Sequence, residues 1–286
     1  MSAADREAKK TQRQIQKEYN DALEAALKKN REFLKKARDV ESGKIKPPPT
    51  IKTDRQIEAW KRGYMRRAME KENVVNEIAG EMQKAGIRVR KRIQDAMVRI
   101  YDMSRKNAAK LLDKVIPGKV APMTRKQIEI LLFRSGKAGA FSKISFKNMG
   151  SDARTVKRLR NEFATAIQRG EDDAKIVERI LKVTGMEEND AMRVLRTERT
   201  HIESLAVQDA AMEHYRATGR RSKKRWVCMF RNSREAHIAM HGQTVYIDED
   251  FTLPDGNPIS YPGDSRAGAA QVCNCQCIMQ IVEEDS

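Results

Sequence analysis

The hydrophobic period of this chain changes once, near Lys223, and that change limits the fold more than any other feature. Up to Ala217, apolar residues recur every three or four positions. Beyond Lys223 they come in short runs (Arg225–Phe230, Thr244–Ile247, Ile278–Val282) separated by Gly-, Pro- and Asp-rich turns. The first pattern belongs to amphipathic helices and the second to short strands. The expected fold is therefore mainly α: a basic, elongated helical N-terminal region followed by a small α+β C-terminal module. Aromatic residues are only 5% of the 286 and charged residues 34%, which favours long helices with wide solvated faces.

The divisions follow from breaks in the pattern. Residues 1–43 read as an N-terminal amphipathic helix along Ile15, Tyr19, Leu23, Ala26, Leu27, Phe33 and Leu34, stopped by Ser42-Gly43. Residues 44–52 hold Pro47-Pro48-Pro49, which removes three backbone donors and makes a stiff linker. A basic helical domain is expected over 53–189. Thr53-Asp54 caps its first helix, a new stretch resumes after Gly86 and ends at Pro117-Gly118, and a short helix runs from Thr124 to Phe133. Ser135 to Met149 reads as a mobile loop. Helices over 152–169, 172–183 and 187–217 follow, and the last leads into a module spanning 190–286.

Charge divides the chain in the same place. From Trp226 onward three basic residues face nine acidic ones, a net −6, which leaves +23 on residues 1–225 out of +17 overall. So large a positive excess predicts an anionic partner for the helices. Double-stranded DNA bound through its phosphates without sequence preference fits, because no base-reading motif is present. No apolar run approaches the length of a membrane span, and the N-terminus has no signal-peptide core.

The module contains all four cysteines. Cys273, Cys275 and Cys277 alternate with Asn274 and Gln276, while Cys228 precedes His237 and His241. Zinc takes four tetrahedral sulfur or imidazole ligands, and a small module with little core gains folding energy by closing around it. Cys228, His237, Cys275 and Cys277 are the candidate ligands, with Cys273 as an alternative fourth. Alternating cysteines on a strand would project to one face. Buried reduced thiols, or a disulfide from Cys228 to one of the three, fit the same residues, although a reducing cytosol disfavours disulfides.

Enzyme signatures fail on specific residues. His237 and His241 have the spacing of a metalloprotease helix, but Ile238 stands where the general-base glutamate is needed. Gly263-Asp264-Ser265 lacks the later histidine of a hydrolase elbow. No catalytic role is expected on these grounds, and a metal-dependent hydrolase or nuclease is the alternative. Trp226 is the natural core anchor of the module.

One set of motifs occurs in a recognisable order: Arg196-Thr197-Glu198, Trp226, Arg234 with His237, Gly242, Pro262, then Cys275 and Cys277. In this order they resemble the phage Mu F-like head morphogenesis (minor head protein) family. Arg231-Asn232-Ser233 stands where the family usually has an acidic residue, and Cys228, His241 and Cys273 are additional to its pattern. The resemblance implies a virion protein of the head interior or portal region. It would act in head assembly with the portal and other head proteins, starting in the host cytoplasm.

Overall fold

In the computed structural model the described residues are 3–114, 116–117, 119–133, 152–230 and 233–282. The expected loop at 135–149 lies outside them.

Seven helices precede the first strand among these residues: α1 (Ala3–Lys29), α2 (Arg31–Glu41), α3 (Asp54–Lys71), α4 (Val74–Leu112), α5 (Arg125–Phe133), α6 (Asp152–Arg169) and α7 (Asp173–Thr218). The chain between Ser42 and Thr53 is free of helix, as the prolines require. Thr53 and Gln56 form a reciprocal capping box: Thr53 Oγ1 accepts the Gln56 N–H at 3.3 Å and Gln56 Oε1 accepts the Thr53 N–H at 3.1 Å. Thr124 and Gln127 repeat the device at α5, with bonds of 3.3 and 2.8 Å.

Helix breaks fall elsewhere than the sequence pattern predicts. The pattern breaks at Gly86 and between 183 and 187, yet α4 runs through Gly86 and α7 through Gly185. A glycine costs about 1 kcal/mol against alanine inside a helix, which the burial of one whole face over many turns outweighs. The stops that form are at Asn73, with φ +51°, and at Asn30, whose side-chain amide donates back to the Ala26 carbonyl at 2.8 Å. The first helix is thus two, α1 and α2.

The chain comprises two compact units, and each is built from separated stretches. One contains residues 14–90 and 147–191 and is helical. Its core includes Ile15, Tyr19, Phe33, Ile78, Met82, Leu159 and Phe163, with Phe33 meeting Phe163 edge to face at 6.0 Å. Arginine–carboxylate pairs lace its surface: Arg158 to Glu187 at 2.7 Å, Arg154 to Asp190 at 2.7 Å, and Arg179 to both Glu162 and Glu171.

The other unit contains residues 1–13, 91–146 and 192–286. Here the helical period gives way to strands. β1 (Lys223–Val227) is central in an antiparallel sheet of order β2-β1-β5, flanked by β2 (Thr244–Tyr246) and β5 (Ile278–Val282). A small hairpin of β3 (Phe251–Thr252) and β4 (Pro258–Ile259) lies between them in sequence, and short helices α8 (Glu235–Ala239) and α9 (Ala269–Val272) complete the module. Along β1, Lys224 and Trp226 face inward. Trp226 anchors a buried cluster with Cys228, Met240, Phe251, Leu253, Ile259, Cys275 and Cys277. A second cluster joins Ala108 and Leu112 to Ala210, Ala211 and Ile247.

Candidate functional site

The site grows from strand register. Val227 on β1 lies opposite Ile278 on β5. The antiparallel pairing therefore makes Cys228 and Cys277, one step further out on each chain, neighbours across the end of the sheet. Cys275 precedes Cys277 in a segment that is not a strand: Asn274 adopts φ +57°, and β5 begins only at Ile278. The three late cysteines consequently do not share a strand face. Cys275 and Cys277 turn into the core while Cys273 stays half-buried outside it.

His237 comes in on α8. Its Nδ1 lies 3.5 Å from Cys275 Sγ and 3.6 Å from Cys277 Sγ. One ligand atom from each residue falls within 4.8 Å of the other two, and all three residues are at most 2% exposed. Nε2 of the same ring lies 3.1 Å from Gln271 Oε1, an acceptor. Gln271 therefore selects the tautomer with the proton on Nε2 and leaves the Nδ1 lone pair facing the two thiols, which is how outer partners orient metal-binding histidines. The two thiols also bond to each other. That bond holds Cys275 below the usual thiol range and, together with burial, pushes Cys277 above it.

Cys228 belongs to the same cluster, although its sulfur is not one of the three gathered atoms. It accepts the Phe230 N–H at 3.4 Å, in a turn where Phe230 itself has φ +59°. All four cysteines are free thiols. His241 is exposed and not part of the group: its Nδ1 accepts the Cys228 N–H at 3.1 Å.

The motif residues supply the frame. On α7, Thr197 Oγ1 accepts the Asn274 N–H at 3.0 Å and the Arg196 guanidinium donates to Asn274 Oδ1 at 3.3 Å. Thr200, one turn on, donates to the Cys275 carbonyl at 2.5 Å. Arg234, at the start of α8, donates to the Cys273 carbonyl at 2.6 Å. Arg196, Thr197 and Arg234 therefore hold the left-handed turn that aims Cys275 inward. Trp226 packs edge-to-face on His237 at 5.4 Å and on Phe251 at 5.5 Å. Gly242, at φ +84°, donates its N–H to the Trp226 carbonyl at 2.8 Å. Pro262 is buried, and Gly263 beside it meets His201, whose Nδ1–H donates to the Gly263 carbonyl at 2.6 Å. Glu198 is buried on α7.

Sequence reasoning did not find Thr200, His201, Gln271 or Lys224. Thr200 and His201 follow Arg196-Thr197-Glu198 on the same helix, where their proximity was the available signal. Nothing in the sequence marked Gln271, because it acts through a fold that brings α9 beside α8. Lys224 counted only towards the positive charge of residues 1–225. It is fully buried, donating to the Ser260 carbonyl at 2.8 Å and to Gln208 at 3.2 Å. Burial pushes its pKa down to about 8, against the nearby Asp250 and Asp248 charges.

Residues 157–280 match the family described as Phage Mu protein F like protein, which supports the family read from the motifs and points to head morphogenesis. The chain is also 28% identical over 124 residues to the NAD(+)--arginine ADP-ribosyltransferase EFV of Enterococcus faecalis (strain ATCC 700802 / V583), a stretch covering 43% of this chain. The chain spans about a quarter (25%) of that relative's length. No solved structure gives a significant match. The relative corrects one expectation. Enzymatic activity was ruled out on missing catalytic residues, yet a chain named as a transferase shares this similarity, so that exclusion does not stand. No helix among the described residues is long and apolar enough to cross a membrane.

Proposed function

We propose that this chain is a minor head protein of a tailed phage or prophage, acting with the portal and other head proteins during head assembly and taken into the virion. The observation that carries the reading is the coincidence of the family match with the clamp. The matched residues include those that hold the cysteine turn and His237 in place. The module is closed by a structural zinc on His237, Cys275 and Cys277, with Cys228 as fourth ligand. All four residues are at most 2% exposed, which fits a structural rather than a catalytic metal. The zinc supplies folding energy that so small a sheet lacks. The basic helices bind duplex DNA through its phosphates.

Deleting the gene from the phage tests the assembly role. Defective heads or poorly infective particles are expected, together with co-purification of the full chain with the portal. Normal particle yield and infectivity would overturn it.

A second reading follows from the transferase. The chain itself would transfer ADP-ribose from NAD(+) to arginine, as that relative's name states of the relative. Full-length protein incubated with labelled NAD(+) and an arginine-rich acceptor decides this: arginine-linked label supports the reading, and an unlabelled acceptor removes it.

A further inference from the structure

A groove of about 880 Å³ opens in the helical unit between α3, the turn at Asn73, the first residues of α4, and α6. Three arginines line it. Arg62 and Arg66 stand one helical turn apart on α3, and Arg160 reaches in from α6. Arg38, Arg88, Arg154, Arg158 and Arg179 of this unit pair with carboxylates, whereas these three make no ion pair among the described residues. Glu70 is the one carboxylate lining the groove, and Asn76 and Gln168 add neutral amides. Val75 and Asn76 belong to the first turn of α4, a helix of 39 residues. The N-terminal end of this helix, with its N–H donors and positive dipole end, therefore borders the same space. The floor is apolar, formed in part by the buried Ile167 and Val75.

We propose that this groove is a binding site for the phosphodiester backbone of nucleic acid. The inference rests on the DNA-binding reading above and gives it a place. Guanidinium forks match phosphate oxygens in pairs, and a helix N-terminus adds N–H donors without adding sequence preference. An open groove of this volume admits a run of backbone, whereas a site for a single small anion would be closed on more sides. Apolar floor residues give the sugars a surface to lie on. No element at the groove offers base-edge readout, so binding is to the backbone and indifferent to sequence.

The test uses the full chain and a fluorescent 20-bp duplex, with anisotropy read across a range of salt concentrations. The groove variant carries Arg62→Gln, Arg66→Gln and Arg160→Gln. A charge-matched control carries Lys110→Gln, Lys119→Gln and Lys126→Gln, all exposed residues of the other unit. Each phosphate neutralised contributes about 0.9 to the slope of log affinity against log salt. The groove variant should therefore lose tenfold or more in affinity and about 2 to 3 in slope, with the control changing by less than about 1 in slope. If the triple variant does not fold, each single Arg→Gln should lower the slope by about 1. Wild-type protein that does not bind at low salt would overturn DNA binding altogether. Binding by wild type with equal losses in groove variant and control would overturn the groove alone. Displacement of duplex by poly-glutamate as effectively, charge for charge, as by unlabelled DNA would assign the groove to an acidic protein instead.

Discussion

The helical unit and the C-terminal module are held together by different means. In the first, the buried faces of long helices carry the fold, and arginine–carboxylate pairs cover the outside. Such helices have many interchangeable contacts, so a single one counts for little. The module has three short strands in its main sheet, two of which pair along only three residues. A sheet that small has little apolar surface to bury. It depends on a few irreplaceable contacts: the Trp226 cluster, the clamp on Asn274, and the His237–Cys275–Cys277 group. A fold built on few contacts should fail sharply, and one built on many should fail gradually.

The largest expected effect is therefore in the module. Cys275→Ser removes one proposed ligand and should abolish metal binding. Structural zinc contributes on the order of 10 kcal/mol to small modules, and each kcal/mol moves the midpoint of a domain this size by about 4–8 °C. A fall in the module's melting temperature of about 10 °C or more is expected, read from the environment of the buried Trp226. An unchanged midpoint would place the module's stability elsewhere.

Glycine substitutions come next and sharpen the contrast. A Cβ at Gly263, where φ is +85°, would meet the His201 backbone at 2.9 Å, and backbone cannot yield. Gly263→Ala should cost about 2–4 kcal/mol in denaturant unfolding. Gly43 in the helical region has a similar φ of +72° with open space around it, and Gly43→Ala should cost only about 1 kcal/mol. Equal costs would remove the proposed difference in tolerance.

A smaller effect concerns pH. Lys224 titrates near 8 in the folded protein, against an ordinary 10.5. Below pH 8 both states carry the charge, and the folded state bears the cost of burying it. Between about 8 and 10.5 the folded protein has released the proton and the unfolded chain keeps it, so this residue makes stability rise with pH across that window. Lys224→Met should flatten that rise. An unaltered profile would show that the buried ammonium does not titrate there. The window lies on the alkaline side, where acid release of metal does not interfere.

The smallest effect lies in the helices. Arg38 pairs with Asp173 at 2.6 Å but is 68% exposed. Arg38→Ala should change stability by less than about 1 kcal/mol, and a larger loss would mean that single surface pairs matter more than the comparison allows.

The fold class was legible because helical period and short strand runs are local properties of the sequence. The turn chemistry at Thr53, Thr124 and the prolines was legible for the same reason. Helix breaks were less so: Gly86 and Gly185 lie on helices whose buried faces override local propensity, while Asn30 and Asn73 break helices through a side-chain bond and a left-handed backbone that pattern does not announce. At the site, His237, Cys275 and Cys277 stood out as rare residues. What the family motifs do there was not legible, since Arg196 and Thr197 act on Asn274 across 77 or more positions of chain. The burial of Lys224 was not legible, because alternation along β1 gives the inward place to a residue type that is almost always exposed.

The central claim is that a metal closes the module, and metal content tests it most directly. Full-length protein purified without chelator should carry about one equivalent of zinc by elemental analysis, and Cys275→Ser protein should carry none. Metal-free wild-type protein in which all four cysteines titrate as free thiols under denaturing conditions would contradict the account and leave Cys275, Cys277 and His237 as ordinary core residues.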